Sequence, residues 1–237
     1  KIIEKSQNIL IVPAPQITGD SLSSALALLF TLRKIGKNAN ILAKEIPENF
    51  RFLSDLEPAD ARDFVISIDG SEKEIGEMRY ENNANGLKIY LTLNKGKISE
   101  EDISFPAFSQ SPDLLVTLGI KSAADLNPSG APILNIDNLI ETTGSLAETA
   151  MNLIKTINPA LINESVATCL LAGIIYASQN FRNPKTGPRT FETSAYLIEK
   201  GANHQKIIQH LYKQKSLAKI KVLGKVLERL NFDKEKE

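Results

Sequence analysis

Short apolar runs and helical patterns alternate through the first half of the chain, and helical patterns alone fill the second. Asn8-Ile9-Leu10-Ile11-Val12 is a continuous apolar run stopped by Pro13, as expected of a buried strand. A helix follows from Asp20, a residue suited to the N-cap. Its apolar positions Leu22, Ala25, Leu26, Leu28, Leu29 and Leu32 cover more than one face, and Gly36 ends it. Ala39–Ala43, Asp63–Asp69, Leu114–Leu118 and Pro132–Asp137 read as further strands of the same sheet. Leu87–Leu93 alternates with period two and is expected to pair with residues 75–80 as a ribbon beside that sheet. Beyond Thr143 the spacing predicts helices near 145–156, 164–179, 190–200, 204–213 and 216–231. The expected fold class is α/β, a mainly parallel five-stranded sheet flanked by helices with a helical C-terminal half.

Composition adds limits. Lys+Arg and Asp+Glu are both 28, so there is no global field to draw in nucleic acid, and such binding needs a local patch. The last helix offers one, with Lys215, Lys219, Lys221, Lys225 and Arg229 around a face opposite Leu217, Ile220, Leu223, Leu227 and Leu230. The single cysteine, Cys169, lies in an apolar run. It forms no intrachain disulfide, in keeping with a reducing, cytoplasmic setting. No apolar stretch reaches membrane-spanning length. The only histidines, His204 and His210, lie late in the chain and read as surface residues. No Walker loop, dinucleotide fingerprint or Gly-x-Ser-x-Gly elbow is present.

In open α/β sheets ligands bind beyond the carboxyl ends of the strands. Those ends carry Asp20, Asp69 and Asp137, three carboxylates suited to a hard cation such as Mg or Mn, although aspartate is also common there as a turn or cap residue. Thr18, Gly19, Asp20 and Ser21 open a helix whose N–H groups could receive a phosphate. Arg182, Lys185, Thr186, Arg189 and Thr190 form a basic, hydroxyl-rich loop suited to an anion.

The order of these segments resembles the DHH phosphoesterases of the RecJ-like superfamily. Gly19–Leu28 is similar to the first motif, His-x-x-Pro-Asp-Gly-Asp-Ala-x-Gly-Ser, leading into an Ala/Leu-rich helix. Ser67-Ile68-Asp69 is similar to the second, a strand ending in Asp. Asn135-Ile136-Asp137 stands at the Asp-His-His motif, Thr168–Ile175 at the helix of the fourth, and Phe181–Phe191 at its downstream loop. Ala195–Ala202 matches the following helix and its Gly-Ala ending. The resemblance implies two divalent ions, usually Mn, activating water against a phosphoester. The ligand set has largely gone, however. Ala14 stands for the first His, Thr18 for the first Asp, Asn138 and Leu139 for the paired His, and Ala177 for the last Asp. Only Asp20, Asp69 and Asp137 survive, a vestigial set at most fit for one loosely held Mg or Mn, and no cofactor is expected.

The resemblance also implies a smaller C-terminal substrate domain that this chain stops short of. The expectation is one DHH-like domain, with residues 1–140 forming the sheet and 141–237 the helical part. The functional expectation is a protein that binds an unknown protein partner or a nucleotide-like ligand without hydrolysing it, with a homodimer among its assemblies. A residual phosphodiesterase acting on short oligonucleotides or small nucleotides, and a nucleic-acid-binding module, are the alternatives.

Overall fold

The computed structural model describes residues 1–14, 16–42, 46–56, 66–71, 73–83, 86–104, 111–120, 130–136, 144–213 and 217–228. Two compact units divide the chain. One comprises Lys1–Pro58 with Pro112–Glu237, the other Ala59–Ser111.

The larger unit is built on a parallel sheet of four strands, β1 (Asn8–Pro13), β2 (Asn38–Ile41), β7 (Leu114–Leu118) and β8 (Ile133–Ile136), in the order β2-β1-β7-β8. The register pairs Ile11 with Ile41 on one side and with Val116 on the other, and Val116 in turn with Leu134. Alternation decides the two faces of β1. Ile9 and Ile11 enter the main core, whereas Leu10 and Val12 join a smaller cluster with Leu115, Ile120 and Ile133.

The main core is made by α2 (Gly19–Lys34), α4 (Leu146–Ile157) and α5 (Glu164–Ala177). Leu22, Leu28 and Leu32 of α2, and Leu170, Leu171 and Ile174 of α5, are fully buried. Both helices are buried all round over most of their length, Gly19–Leu32 and Val166–Ile175, with only small polar residues and Asp20 among the apolar ones. Gly36, at φ +78°, ends α2 in a conformation that costs other residues strain. The Arg33 side chain then ties the helix end to β2, donating to the Ala39 carbonyl (2.8 Å) and to Asn40 Oδ1 (2.7 Å).

Short α1 (Ile2–Lys5) and α3 (Arg51–Ser54) lie in the N-terminal segments. The chain continues after α5 through α6 (Pro188–Glu199), α7 (His204–Ile208), a π-helical turn Gln209–Lys213 and α8 (Leu217–Leu227). These match the expected helices to within a few residues, and Pro188 starts α6 at the position where its missing N–H costs nothing. In α8, Leu227, on the face opposite the basic one, is exposed, together with Val222 and Val226. Cys169 is buried, as its apolar run implied. His210 is not a bare surface residue, because its ring stacks on Phe52 at 4.3 Å.

The smaller unit corrects one expectation. Ser67 and Ile68 (β3) do not extend the parallel sheet. They pair antiparallel with Ile103 and Ser104 (β6), with the Asp69 N–H donating to the Asp102 carbonyl. The sheet therefore has four strands among the described residues rather than five. An apolar run marks a strand without naming its partner, and here the partner lies in the same unit. The remaining element is the expected ribbon, β4 (Glu74–Asn83) against β5 (Gly86–Lys95), antiparallel.

Candidate functional site

Helix α2 begins where the carboxyl end of β1 delivers the chain. Its N-cap is Thr18 rather than Asp20. Thr18 Oγ1 accepts the Ser21 N–H and the Thr18 N–H donates to Ser21 Oγ, both at 3.1 Å. This reciprocal box satisfies the first turn from within. Thr18 stays exposed, while Ser21 is buried and its hydroxyl also donates to the Thr18 carbonyl.

Asp20 caps a different helix. Its Oδ2 accepts the Leu146 N–H (2.8 Å) and its Oδ1 the Ala147 N–H (3.0 Å), the first two amides of α4. The residue is 5% exposed. Burial dominates its ionisation and pushes the carboxyl up to about 6, against the downward pull of the two amides; the neighbouring Glu148 adds to the rise. Three helices meet at this carboxylate because α5 has a glycine there. A Cβ on Gly173 would come within 2.8 Å of the Ala147 Cβ and 3.1 Å of Asp20 Oδ1. Aromatic rings roof the start of α2 in the same way. A Cβ on Gly19 would lie 2.2 Å from Phe50 Cζ and 2.6 Å from Tyr176 Cδ2, and those two rings meet edge to face.

Beside this junction lies a small polar pocket, with room for roughly one water. Ser145 and Glu148 at the start of α4, Ser178 after α5, the loop residues Asn183, Lys185 and Thr186, and Thr190 of α6 line it. Glu148 is 2% exposed and accepts a hydrogen bond from the Ser145 hydroxyl at 3.2 Å. The Thr186 hydroxyl is buried, with no hydrogen-bond partner among the described residues. The loop reaches this place through three consecutive left-handed residues, Gln179, Asn180 and Phe181, at φ 51°, 59° and 63°. Non-glycine residues rarely adopt that region and each costs about 1 kcal/mol or more. The turn is held by Asn180 N–H to the Ile175 carbonyl (2.8 Å), Phe181 N–H to Ser178 Oγ (3.0 Å), and Phe181 stacked on Phe191. The cationic side chains of Arg182 and Lys185 are exposed on it. Arg189 is exposed at the first turn of α6, already engaged with a neighbour.

Asp69 is an exposed residue of the smaller unit. Its Oδ1 accepts from the Ser71 N–H (3.0 Å) and from the Ser71 hydroxyl, and these bonds hold the carboxyl below its usual range. Asp137 lies outside the described residues. Of the sequence-predicted carboxylates, Asp20 is the one that the described residues of the larger unit place, and it lies within the helical junction. Glu148 was not singled out from sequence, although Ser145-x-x-Glu148 is the spacing of a helix-start box.

The described residues supply few of the donors that the resemblance implies for a two-ion centre. Asp20 turns both oxygens to backbone amides of α4, and Ala14 and Ala177 offer no donor atoms. Among the described residues no cluster of three or more His, Cys, Asp or Glu side chains could hold a metal. No helix among them is long and apolar enough to cross a membrane.

No protein-family model matches the chain. An uncharacterized protein of Mycoplasma genitalium is 37% identical over 73 residues, which is 31% of this chain and 22% of that protein. Among solved structures, an exopolyphosphatase-related protein from Bacteroides fragilis superposes with a TM-score of 0.68 at 16% identity, covering 98% of this chain and 64% of that one. The chain thus spans about a fifth of the curated relative and just under two thirds of the solved structure. The structural likeness shows the fold: a parallel α/β sheet flanked by helices, of the kind seen in the exopolyphosphatase-related protein.

Proposed function

We propose that this chain is a degenerate member of the DHH phosphoesterase superfamily that works by binding rather than by metal-dependent hydrolysis. The observation that carries the reading is Asp20. The one carboxylate kept from the first motif is withdrawn from solvent and spent on the amides of α4. A two-ion hydrolase needs several oxygen or imidazole ligands per ion, held where water can reach them. The ring of Tyr176 packed over Gly19 also takes up space beside the first turn of α2.

A phosphate-bearing, nucleotide-like ligand is the occupant the 182–190 loop suits. Arg182 and Lys185 are exposed there, and a backbone committed to an uncommon conformation fixes the loop. The hydroxyls of Thr18 and Ser21 are both occupied by the α2 cap, and that of Thr186 is buried, so the two exposed cations carry the proposed contact. A protein partner is the second reading, favoured by the exposed apolar residues of the smaller unit. The test pairs calorimetric binding of dinucleotides and bis-phosphorylated adenosine with hydrolysis assays in Mn and in Mg. Binding without turnover is expected, with affinity reduced by Arg182→Glu or Lys185→Glu. Turnover that Asp69→Ala abolishes would restore the residual phosphodiesterase.

A further inference from the structure

Among the described residues between 66 and 104, no side chain is buried. The main body of this stretch is the ribbon of β4 and β5, each 10 residues long. A two-stranded ribbon is marginal by itself in water and gains stability by covering an apolar face. This ribbon has such a face. The register sets Met78 opposite Leu91, Tyr80 opposite Ile89 and Asn82 opposite Leu87, and Leu93 continues the row. Met78 is 67% exposed, Tyr80 70%, Leu87 60% and Ile89 46%. The other face is polar and satisfied within itself. Glu81 stands opposite Lys88, the Arg79 guanidinium lies 4.8 Å over the Tyr90 ring, and the Tyr90 hydroxyl donates to Glu81 at 3.2 Å.

We propose that the apolar face of the β4–β5 ribbon is a self-association surface on which a second copy of this chain docks face to face, β4 of each over β5 of the other. Area, shape and charge favour this occupant. The four exposed side chains leave on the order of 450 Å² uncovered, the size of the largest, often functional, apolar patch on an ordinary monomer. Two copies together would bury roughly 900 Å² or more, close to the lower limit for a specific, reversible interface. The apolar row from Leu87 to Leu93 is about 20 Å long, and an antiparallel ribbon has an approximate twofold of its own, so an identical row complements it. The apolar row carries no charge, so closing it buries none. Because β4 gives Met78 and Tyr80 while β5 gives Leu87, Ile89, Leu91 and Leu93, crossing β4 over β5 spreads the thin and thick sides evenly. Edge-to-edge pairing is disfavoured. It would set Glu74, Glu77 and Glu81 of β4 against their own copies, or Lys88 and Lys95 of β5 against theirs.

The test is sedimentation equilibrium of the 237-residue chain between about 1 and 100 μM. A monomer–dimer equilibrium is expected. Met78→Thr and Ile89→Thr, which keep strand propensity while removing apolar area, should each weaken it at least tenfold. Glu81→Gln, on the polar face, should leave it within twofold. Nuclear Overhauser contacts between Arg79 and Tyr90 verify that the ribbon persists in each variant. A chain that stays monomeric at 100 μM overturns the proposal, whether its ribbon face is open or covered by the same chain. So does a dimer that both threonine variants leave intact.

Discussion

The ionisation of Asp20 is the sharpest consequence of its placement. Its carboxyl has an ordinary value of 3.8 and burial raises it to about 6 in the folded chain. An unfolded chain holds Asp20 near the ordinary value, so between these two values the folded chain binds the extra proton. Protonated Asp20 therefore contributes stability that is complete below pH 3.8 and is lost as pH rises through about 6. That displacement corresponds to about 3 kcal/mol. Asp20→Asn cannot titrate, so its stability should lack this component. The assay is urea unfolding of the chain and of Asp20→Asn at half-unit steps from pH 4 to 8, with the difference between the two plotted against pH. Over this range the difference should move by about 2.5 kcal/mol in the direction that weakens the unsubstituted protein as pH rises. Asp102 titrates with the opposite sign and cancels in the subtraction. A flat difference, or Asp20 titrating at or below 3.8, would mean that a cation or a strong positive field holds it ionised, and the structural assignment would fail.

Other consequences can be checked separately. Gly173→Ala drives a methyl group into Ala147 and Asp20, and it should destabilise by about 1–3 kcal/mol despite alanine's better helix propensity, as read by the urea midpoint. Ser23→Ala removes a hydroxyl buried without a hydrogen-bond partner among the described residues, and it should leave stability unchanged or raise it by up to about 1 kcal/mol. Asp102 is drawn down to about 2, first by the Lys73 ammonium at 2.6 Å and then by the Ser99 N–H and hydroxyl. Lys73→Met should bring its titration, followed by carbonyl NMR shifts, back toward 3.8. Phosphate-bearing ligands should lose affinity steeply with salt if Arg182 and Lys185 contact them, which calorimetry at two ionic strengths would show.

Much of the fold can be read from local pattern. The Ile9–Val12 run, the Leu/Ala-rich helix after Gly19 and the period-two alternation of Leu87–Leu93 each specify their own conformation, because burial and pleating leave a periodic trace. Partnership leaves no such trace. Nothing in Ser67-Ile68 announces that it pairs with Ile103-Ser104 rather than joining β1, and nothing in Asp20 announces a helix that starts 126 residues later at Leu146. Its apparent role as the cap of its own helix followed from residue type, yet Thr18 and Ser21 satisfy that end first. Ala14 and Ala177, at positions where the resemblance implies ligands, are legible as residue identities. The left-handed run Gln179–Phe181 was not, since no glycine marks it. Glu148 was within reach through its spacing from Ser145 but competed with the bland reading of a helix-start acid.

On the proposed reading, the chain binds its ligand without holding a pair of catalytic ions. Mn²⁺ titration followed by electron paramagnetic resonance tests it most directly. The account predicts that the free-ion signal falls only weakly, with no saturable site at micromolar Mn²⁺ and no exchange-coupled spectrum. Saturation at two ions per chain with a coupled spectrum would contradict it.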